Sequence, residues 1–593
     1  MQKGLLKDLP TWDLSDLYQG LADPNIDNDL DTINKLSDLF CKTYHGKFVD
    51  DNFSGELLFQ AIVDYEKIFS TLGKLTSFSG LSYYADLNNS LIQQLYQKIE
   101  EKNAEISSKL IFFTLDINKI SDTALQKSFE NNKNLVKYKA WLDNVRVMKN
   151  YQLSNDLEKI FIEKSVTSTN AWIKLYDELT AKIEFDYNGQ KLPLAAIVDN
   201  LSDKDEKVRK DSAFAFSEGL NKNLDVITKI TNILIKDKEI EDSWRKMPNP
   251  MFSRHLSNQI EPEVVDCLLN TVKDNYKNLS HRYYKIKASI LGLEKIEYWD
   301  RNAPISNSSE KQFSWLESQK IVFDAYNEFS PILALNLKKF FDNNWIDVPI
   351  RSSKTSGAFS HPCVPEVHPY ILLNFRGKLR DVMTLAHELG HGVHQILSAQ
   401  QGYLLSDTPL TLAETASVFG EMLTFQSLLK KTTTNLEKRS LLCAKIEDML
   451  NTVVRQIAFY DFEIQIHNLR KQGEISIDKL NQIWLSTQKE ALGDFVNLDP
   501  VVSCFWGYIS HFIHSPFYVY AYAFGDCLVN SLYSLYKKQP EGFVEKYIEL
   551  LKAGGSKNYV ELLKPFGLNP KDKTFWQNGL NTIIELIDML EEN

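Results

Sequence analysis

Cysteine is scarce in this sequence. Six residues, Cys41, Cys267, Cys363, Cys443, Cys504 and Cys527, are scattered over 593 positions with no Cys-x-x-Cys pair. Such spacing is too sparse for a disulfide framework and fits a reducing compartment. No run of about 18 apolar residues occurs, so no membrane span is expected. Met1 to Trp12 is polar, contains Pro10 and has no apolar core of signal-peptide length, which makes the cytoplasm the expected location. Positive charge is not in excess either. The net charge is -11 and the isoelectric point near 5.6, a balance that disfavours nucleic acid as a partner and is explained by solubility alone. Internal repeats and low-complexity linkers are also missing.

What remains is ordinary globular material, 43% hydrophobic and 24% charged, long enough to bury a large core and to form more than one lobe. Residues 1–30 read as an irregular lead in which Trp12 and Leu17 are candidates for docking on a lobe. From about 31 to 180 apolar residues recur near the helical period, with few glycines or prolines. Ile183–Leu194 breaks that pattern: Ile183 to Tyr187 alternates, Asn188-Gly189 supplies a turn, and the chain returns, which predicts a β-hairpin. Ser202 to Glu206 resembles the cap and acidic first turn of a new helix, placing a lobe boundary near 200: residues 1–200 as a helical N-terminal lobe, 201–593 as the remainder. One helix is expected from Glu261-Pro262 to Gly292 and another over Phe313–Asn344. Ser356–Ser360 and Tyr370–Phe375 look like strands of a small sheet. That sheet either offers backbone groups to an extended peptide or is a structural hairpin.

Histidine is rare too, at 11 residues, yet two stand four apart in Thr384-Leu385-Ala386-His387-Glu388-Leu389-Gly390-His391-Gly392-Val393-His394. On a helix His387 and His391 share one face, one turn apart, so both imidazoles reach one metal ion. Glu388 points to the neighbouring sector, close to a water on that ion. His-Glu-x-x-His on a helix is a zinc-peptidase signature, and composition alone gives roughly 0.01 such pentapeptides in a chain like this. The plain alternative is a helix whose histidines cap or pack. Val382, Leu385, Ala386 and Leu389 predict a buried helix, and burying two imidazoles and a carboxylate without partners is costly.

A catalytic zinc takes three protein ligands and a water. Glu414, in the apolar, small-residue stretch Leu412–Glu421, is the candidate third ligand. Glu421 lies on nearly the same face; it reads more readily as a solvent-facing glutamate than as a carboxylate orienting a ligand. Asp381 is an equal candidate for that orienting role. His394 reads as packing or as a second layer, and His361 and His368 as loop histidines. Downstream, Ile509–Gly525 is rich in aromatics, with His511 and His514 preceding Tyr518, Tyr520 and Tyr522. Aromatic stripes are usually core, but here polar-tipped rings alternate with small residues. His511 and at least one tyrosine are candidate oxyanion donors.

Together these segments resemble the oligoendopeptidase F branch of the thimet-oligopeptidase-like zinc metallopeptidases. The likeness covers Trp12 to Tyr18, Pro369–Gly377, Thr384–His394, Ala413 to Ser417 and His511 to Gly525, in order and over nearly the whole length. It implies a mainly α, two-lobed fold with a deep central channel and a small β-sheet beside the metal-binding helix. It further implies that His387, His391 and Glu414 hold one Zn2+ per chain, that Glu388 is the general base, and that His511 contacts substrate. The family's tyrosine donors fall among Tyr518, Tyr520 and Tyr522, with Tyr518 and Tyr522 the first choices. The chain departs from the branch at Ile513 and His514, where a tyrosine and a small polar residue are common. The expected activity is hydrolysis of internal bonds in short peptides, with no membrane partner and a monomer or weak homo-oligomer. A metallocarboxypeptidase on a similar helical fold and an inactive peptide-binding protein are the rival readings.

Overall fold

A computed structural model describes residues 9–305 and 312–592. The first eight residues of the expected lead lie outside the described residues. The fold is mainly α, and the strands among the described residues are short: β1 (Phe185–Tyr187), β2 (Gln190–Leu192), β3 (Ile296–Glu297), β4 (Ile346–Asp347), β5 (Phe359–His361), β6 (Tyr370–Leu372) and β7 (Val496–Asn497). The chain divides into two compact units, each assembled from three segments. One comprises Met1–Lys149, Glu310–Lys431 and Tyr536–Leu568; the other comprises Asn150–Ser309, Thr432–Leu535 and Asn569–Asn593.

In the first unit, long amphipathic helices Pro24–Tyr44, Gly55–Ala85 and Ser90–Lys119 pack around Phe40, Leu58, Ile62, Ile106 and Phe113. The lead docks as expected. Trp12 meets Tyr370 edge-on at 6.0 Å, Leu17 is buried, and the Val348 N–H donates to the Pro10 carbonyl at 3.0 Å. The single helix expected over Phe313–Asn344 is two, Trp315–Phe329 and Pro331–Asp342. Pro331 disfavours helical geometry at the preceding residue, and Ser330 turns extended to cap the second helix. The sheet has the order β4-β6-β5, with β6 parallel to β4 and antiparallel to β5. Its strands β5 and β6 are shorter than the sequence pattern, and β4, at two residues, is too short to show any periodicity. Two helices follow: the first site helix, Leu379–Ser398, and the second, Leu410–Lys430.

In the second unit the hairpin forms as read, β1 pairing with β2 around Asn188 and Gly189, which hold φ of 52° and 80° as a tight hairpin turn needs. Asp205 caps the helix Glu206–Asn221. The helix expected to run to Gly292 is interrupted by a π-turn at Lys277–His281 between Pro262–Asn275 and Arg282–Ile290. Helices Val454–Arg470 and Ile477–Leu492 complete much of this core, with Trp484 and Phe462 among its buried rings.

Candidate metal centre

The first site helix begins where Asp381 accepts backbone N–H groups of Arg376 and Lys378 at 2.7 and 2.9 Å. Asp381 therefore caps the helix and does not orient a ligand. Val382, Leu385, Ala386, Leu389 and Val393 are buried along one side, as the sequence pattern predicts. The second site helix lies against it with unusual closeness. A Cβ at Gly390 would sit 2.5 Å from the Ala416 carbonyl oxygen and 2.6 Å from Ser417 Cα. Only glycine permits that approach.

The close packing brings three acceptors together. Nε2 of His387 and Nε2 of His391 are 3.2 Å apart, and Glu414 Oε2 lies 3.5 and 3.6 Å from them. His387 Nδ1 faces Glu421 Oε1 at 2.6 Å, a contact in which the ring N–H donates and leaves Nε2 with its lone pair. His391 has its own partner in the Ala413 backbone. Three lone pairs thus converge with no proton needed between them, which is the arrangement of a cation site. A tetrahedral ion with bonds of about 2.0–2.2 Å holds its ligands about 3.3–3.6 Å apart, so the triangle fits zinc. Burial favours the neutral form of both rings. Burial is the largest single influence on each; at His387 the Glu421, Glu414 and Glu388 carboxylates together outweigh it and the pKa is raised, while at His391 burial prevails and it is lowered.

Glu421 corrects the sequence reading. It does not face solvent but points inward at His387, on the helix face it shares with Glu414 seven residues earlier. Supporting hydrogen bonds extend further than the sequence revealed. Ser417 Oγ donates to Glu414 Oε2 at 2.6 Å. Buried Tyr326 donates to the Ala386 carbonyl at 2.9 Å, one residue before His387, and buried Tyr547 donates to the Thr415 carbonyl at 2.8 Å, one residue after Glu414. No motif marks either tyrosine, because each acts through a backbone atom of a distant segment.

Glu388 is buried and accepts the backbone N–H of Ser360 on the edge strand β5; burial is the main cause that lifts its carboxyl to about 7. Gln395, two turns along the helix, ties the same strand through Ser360 Oγ at 2.8 Å. His394 is fully enclosed beside Thr408, its pKa lowered by burial to about 3. His361 is not a loop residue: it lies in β5, with Ser77 Oγ 2.9 Å from its Nε2. His368 lies outside the strands and stacks on Trp345 at 3.7 Å.

The aromatic block lies in the second unit. His511 Nε2 is 3.0 Å from the Tyr522 hydroxyl, its ring stacks on Tyr518 at 5.9 Å, and Tyr518 meets Tyr522 edge-on at 5.3 Å. Tyr520 stands apart from this cluster. It is fully buried, and its hydroxyl accepts from Asn258 Nδ2 at 2.8 Å, so it serves the core. Among the described residues, the only group of histidines, cysteines or carboxylates close enough to share a metal ion is His387, His391 and Glu414.

Known proteins match this chain over nearly its whole length. A profile described as Peptidase family M3 matches residues 200–582, and one described as Oligopeptidase F matches 116–185. An oligoendopeptidase F homolog of Borreliella burgdorferi is 27% identical, with 96% of each chain aligned. Oligopeptidase PepF of Bacillus subtilis is 25% identical over 98% of this chain and 87% of its own. Oligoendopeptidase-F from Enterococcus faecium superposes with a TM-score of 0.72 at 18% identity, covering 96% of this chain and 98% of that one, a likeness of fold. The M3 profile covers well over half of the chain, including both helices that carry His387, His391 and Glu414, and the chain therefore belongs to peptidase family M3.

Proposed function

We propose that this protein is a zinc-dependent endopeptidase that cleaves internal bonds of short oligopeptides, with one Zn2+ per chain. The observation that carries the proposal is the triangle of His387, His391 and Glu414, whose edges of 3.2 to 3.6 Å match a tetrahedral ion. Zinc, when bound, supplies a water of lowered pKa and polarises a carbonyl. The remaining chemistry belongs to the chain. Glu388 takes a proton on its carboxylate during attack on the scissile carbonyl and delivers it to the leaving nitrogen. The Ser360 N–H and the walls that bury Glu388 hold that carboxylate in place. Glu421 keeps the His387 ring oriented with Nε2 as an acceptor. His511, Tyr518 and Tyr522 are assigned as donors to the carbonyl oxygen as it gains charge.

Oligopeptide substrates are supported by relatives named oligopeptidase and oligoendopeptidase F. The catalytic region is assigned to residues 201–593 and the N-terminal helical region to 1–200, a division supported by the M3 match at 200–582. No nucleic-acid or membrane partner is assigned, and the assembly is a monomer or weak homo-oligomer. No helix among the described residues is long and apolar enough to cross a membrane. All six cysteines are free thiols, which supports placing the protein in the cytoplasm. The test is mass spectrometry of products from a mixture of end-blocked peptides. Internal cleavage is expected, lost with a chelator and restored by zinc. Trimming confined to unblocked C-termini, or activity indifferent to the chelator, overturns the proposal.

A further inference from the structure

The turn that carries Tyr518 is built against its own sequence. Ser515 to Tyr518 is closed by the Tyr518 N–H donating to the Ser515 carbonyl at 3.0 Å, with Pro516 second and Phe517 third. Phe517 has φ of +61°. Proline followed by a positive φ is the pattern of a type II turn, in which the third position belongs to glycine or asparagine. A phenylalanine there pays the left-handed penalty of any residue with a Cβ. The type I alternative avoids it by flipping one peptide, the unit between Pro516 and Phe517.

That peptide is held at both polar ends. Arg254 Nε donates to the Pro516 carbonyl at 3.1 Å, and the Phe517 N–H donates to Glu463 Oε1 at 2.7 Å. Glu463 is buried in the middle of the helix Val454–Arg470 at 1% exposure, and among the described residues its Oε2 has no hydrogen-bond partner. A glutamate at that depth has no surface role, and its hydrogen bond to Phe517 goes to this turn. The Phe517 ring is itself buried, 4.5 Å from His467 and 6.0 Å from Tyr460, and the Arg254 guanidinium lies 5.8 Å over the Tyr518 ring.

We infer that Arg254 and Glu463 are positioning residues that clamp the Pro516–Phe517 peptide in its flipped orientation and thereby hold Tyr518 beside His511 and Tyr522. The inference rests on the assignment of Tyr518 as a donor to substrate. Without the two clamps the left-handed strain at Phe517 is free to relax, and a turn that opens in doing so releases Tyr518, its last residue, from its place beside the His511 ring. Burial lifts the Glu463 carboxyl to about 8, so its accepting oxygen is a neutral acid's at pH 7, and glutamine can replace it.

The experiment compares Glu463→Leu, Glu463→Gln, Arg254→Met, Tyr518→Phe and the double variant Glu463→Leu/Tyr518→Phe in the full-length zinc-loaded protein. Its readouts are kcat and KM on an internally quenched peptide, bound zinc and thermal midpoint. Glu463→Leu is expected to lower kcat about 10–100-fold with KM and zinc near wild type, because an oxyanion donor is misplaced and not removed. Glu463→Gln should stay within about 3-fold, and in the Tyr518→Phe background the Glu463→Leu effect should shrink below about 3-fold. If Glu463→Leu does not fold, Arg254→Met breaks the same peptide from its other end and should show the same non-additivity. Losses that multiply in the double variant overturn the clamp, as does a slow Tyr518→Phe beside a wild-type Glu463→Leu. A wild-type Tyr518→Phe instead removes Tyr518 from catalysis, and the clamp's catalytic role with it.

Discussion

Gly390→Ala should damage the metal centre without touching a ligand. The added Cβ would lie 2.5 Å from the Ala416 oxygen and 2.6 Å from Ser417 Cα. A relaxed C···O separation is about 3.3 Å, so the helices must part by about 0.8 Å, and the clash with Ser417 asks for more. Both obstructing atoms are backbone in mid-helix, so no side-chain rotation relieves the clash. Glu414 sits on the helix that must move, and its edges to the two histidines of 3.5 and 3.6 Å would lengthen accordingly. Metal sites tolerate about 0.2 Å. Partial recovery by the Glu414 side chain leaves an expected loss of about 10–100-fold in zinc affinity, comparable to losing an orienting partner, together with about 1–3 kcal/mol of overpacking. Competition against a chromophoric chelator measures the affinity, and thermal unfolding with and without zinc measures the strain. Gly392→Ala is the control. Its Cβ would strike the Phe340 ring, a side chain that can give, so stability should fall while zinc affinity holds. Zinc binding by Gly390→Ala within about 3-fold of wild type, or a larger zinc defect in Gly392→Ala, would refute the reasoning.

Other outcomes follow from the same geometry. Glu388→Gln should retain stoichiometric zinc by elemental analysis while turnover of an internally quenched peptide falls about 10²–10⁴-fold. Glu421→Ala, which removes the 2.6 Å partner of His387 Nδ1, should weaken zinc about 10–100-fold in the same chelator competition. Tyr326→Phe deletes one buried donor to the Ala386 carbonyl and should cost about 1 kcal/mol in denaturant unfolding, with its ring packing kept. The Glu463 carboxyl, raised by burial to about 8 in the fold, contributes stability that is full below its ordinary value of 4.5 and is lost as pH rises through about 8. The thermal midpoint of wild type should therefore fall across that window, and that of Glu463→Gln should fall less.

The sequence by itself determined the helical class, the hairpin at Asn188-Gly189 and the histidine pair with its adjacent glutamate. Those features are local: a period, a turn dipeptide and a spacing of four are read within one turn of backbone. The docking of Trp12 and the burial of the Leu385 face were legible for the same reason. Glu421 was misread because its spacing from Glu414 gives the face of a helix but not what that face meets. Asp381 and His361 were likewise assigned by nearness in sequence, and the fold used one as a cap and the other in a strand. Tertiary packing alone brings two helices together at Gly390 and sets Tyr326 and Tyr547 against backbone beside His387 and Glu414. The same holds for Arg254 and Glu463, which grip one peptide from segments some two hundred residues apart. These contacts depend on which segments meet in space, and packing between distant segments leaves no periodic trace in a single sequence.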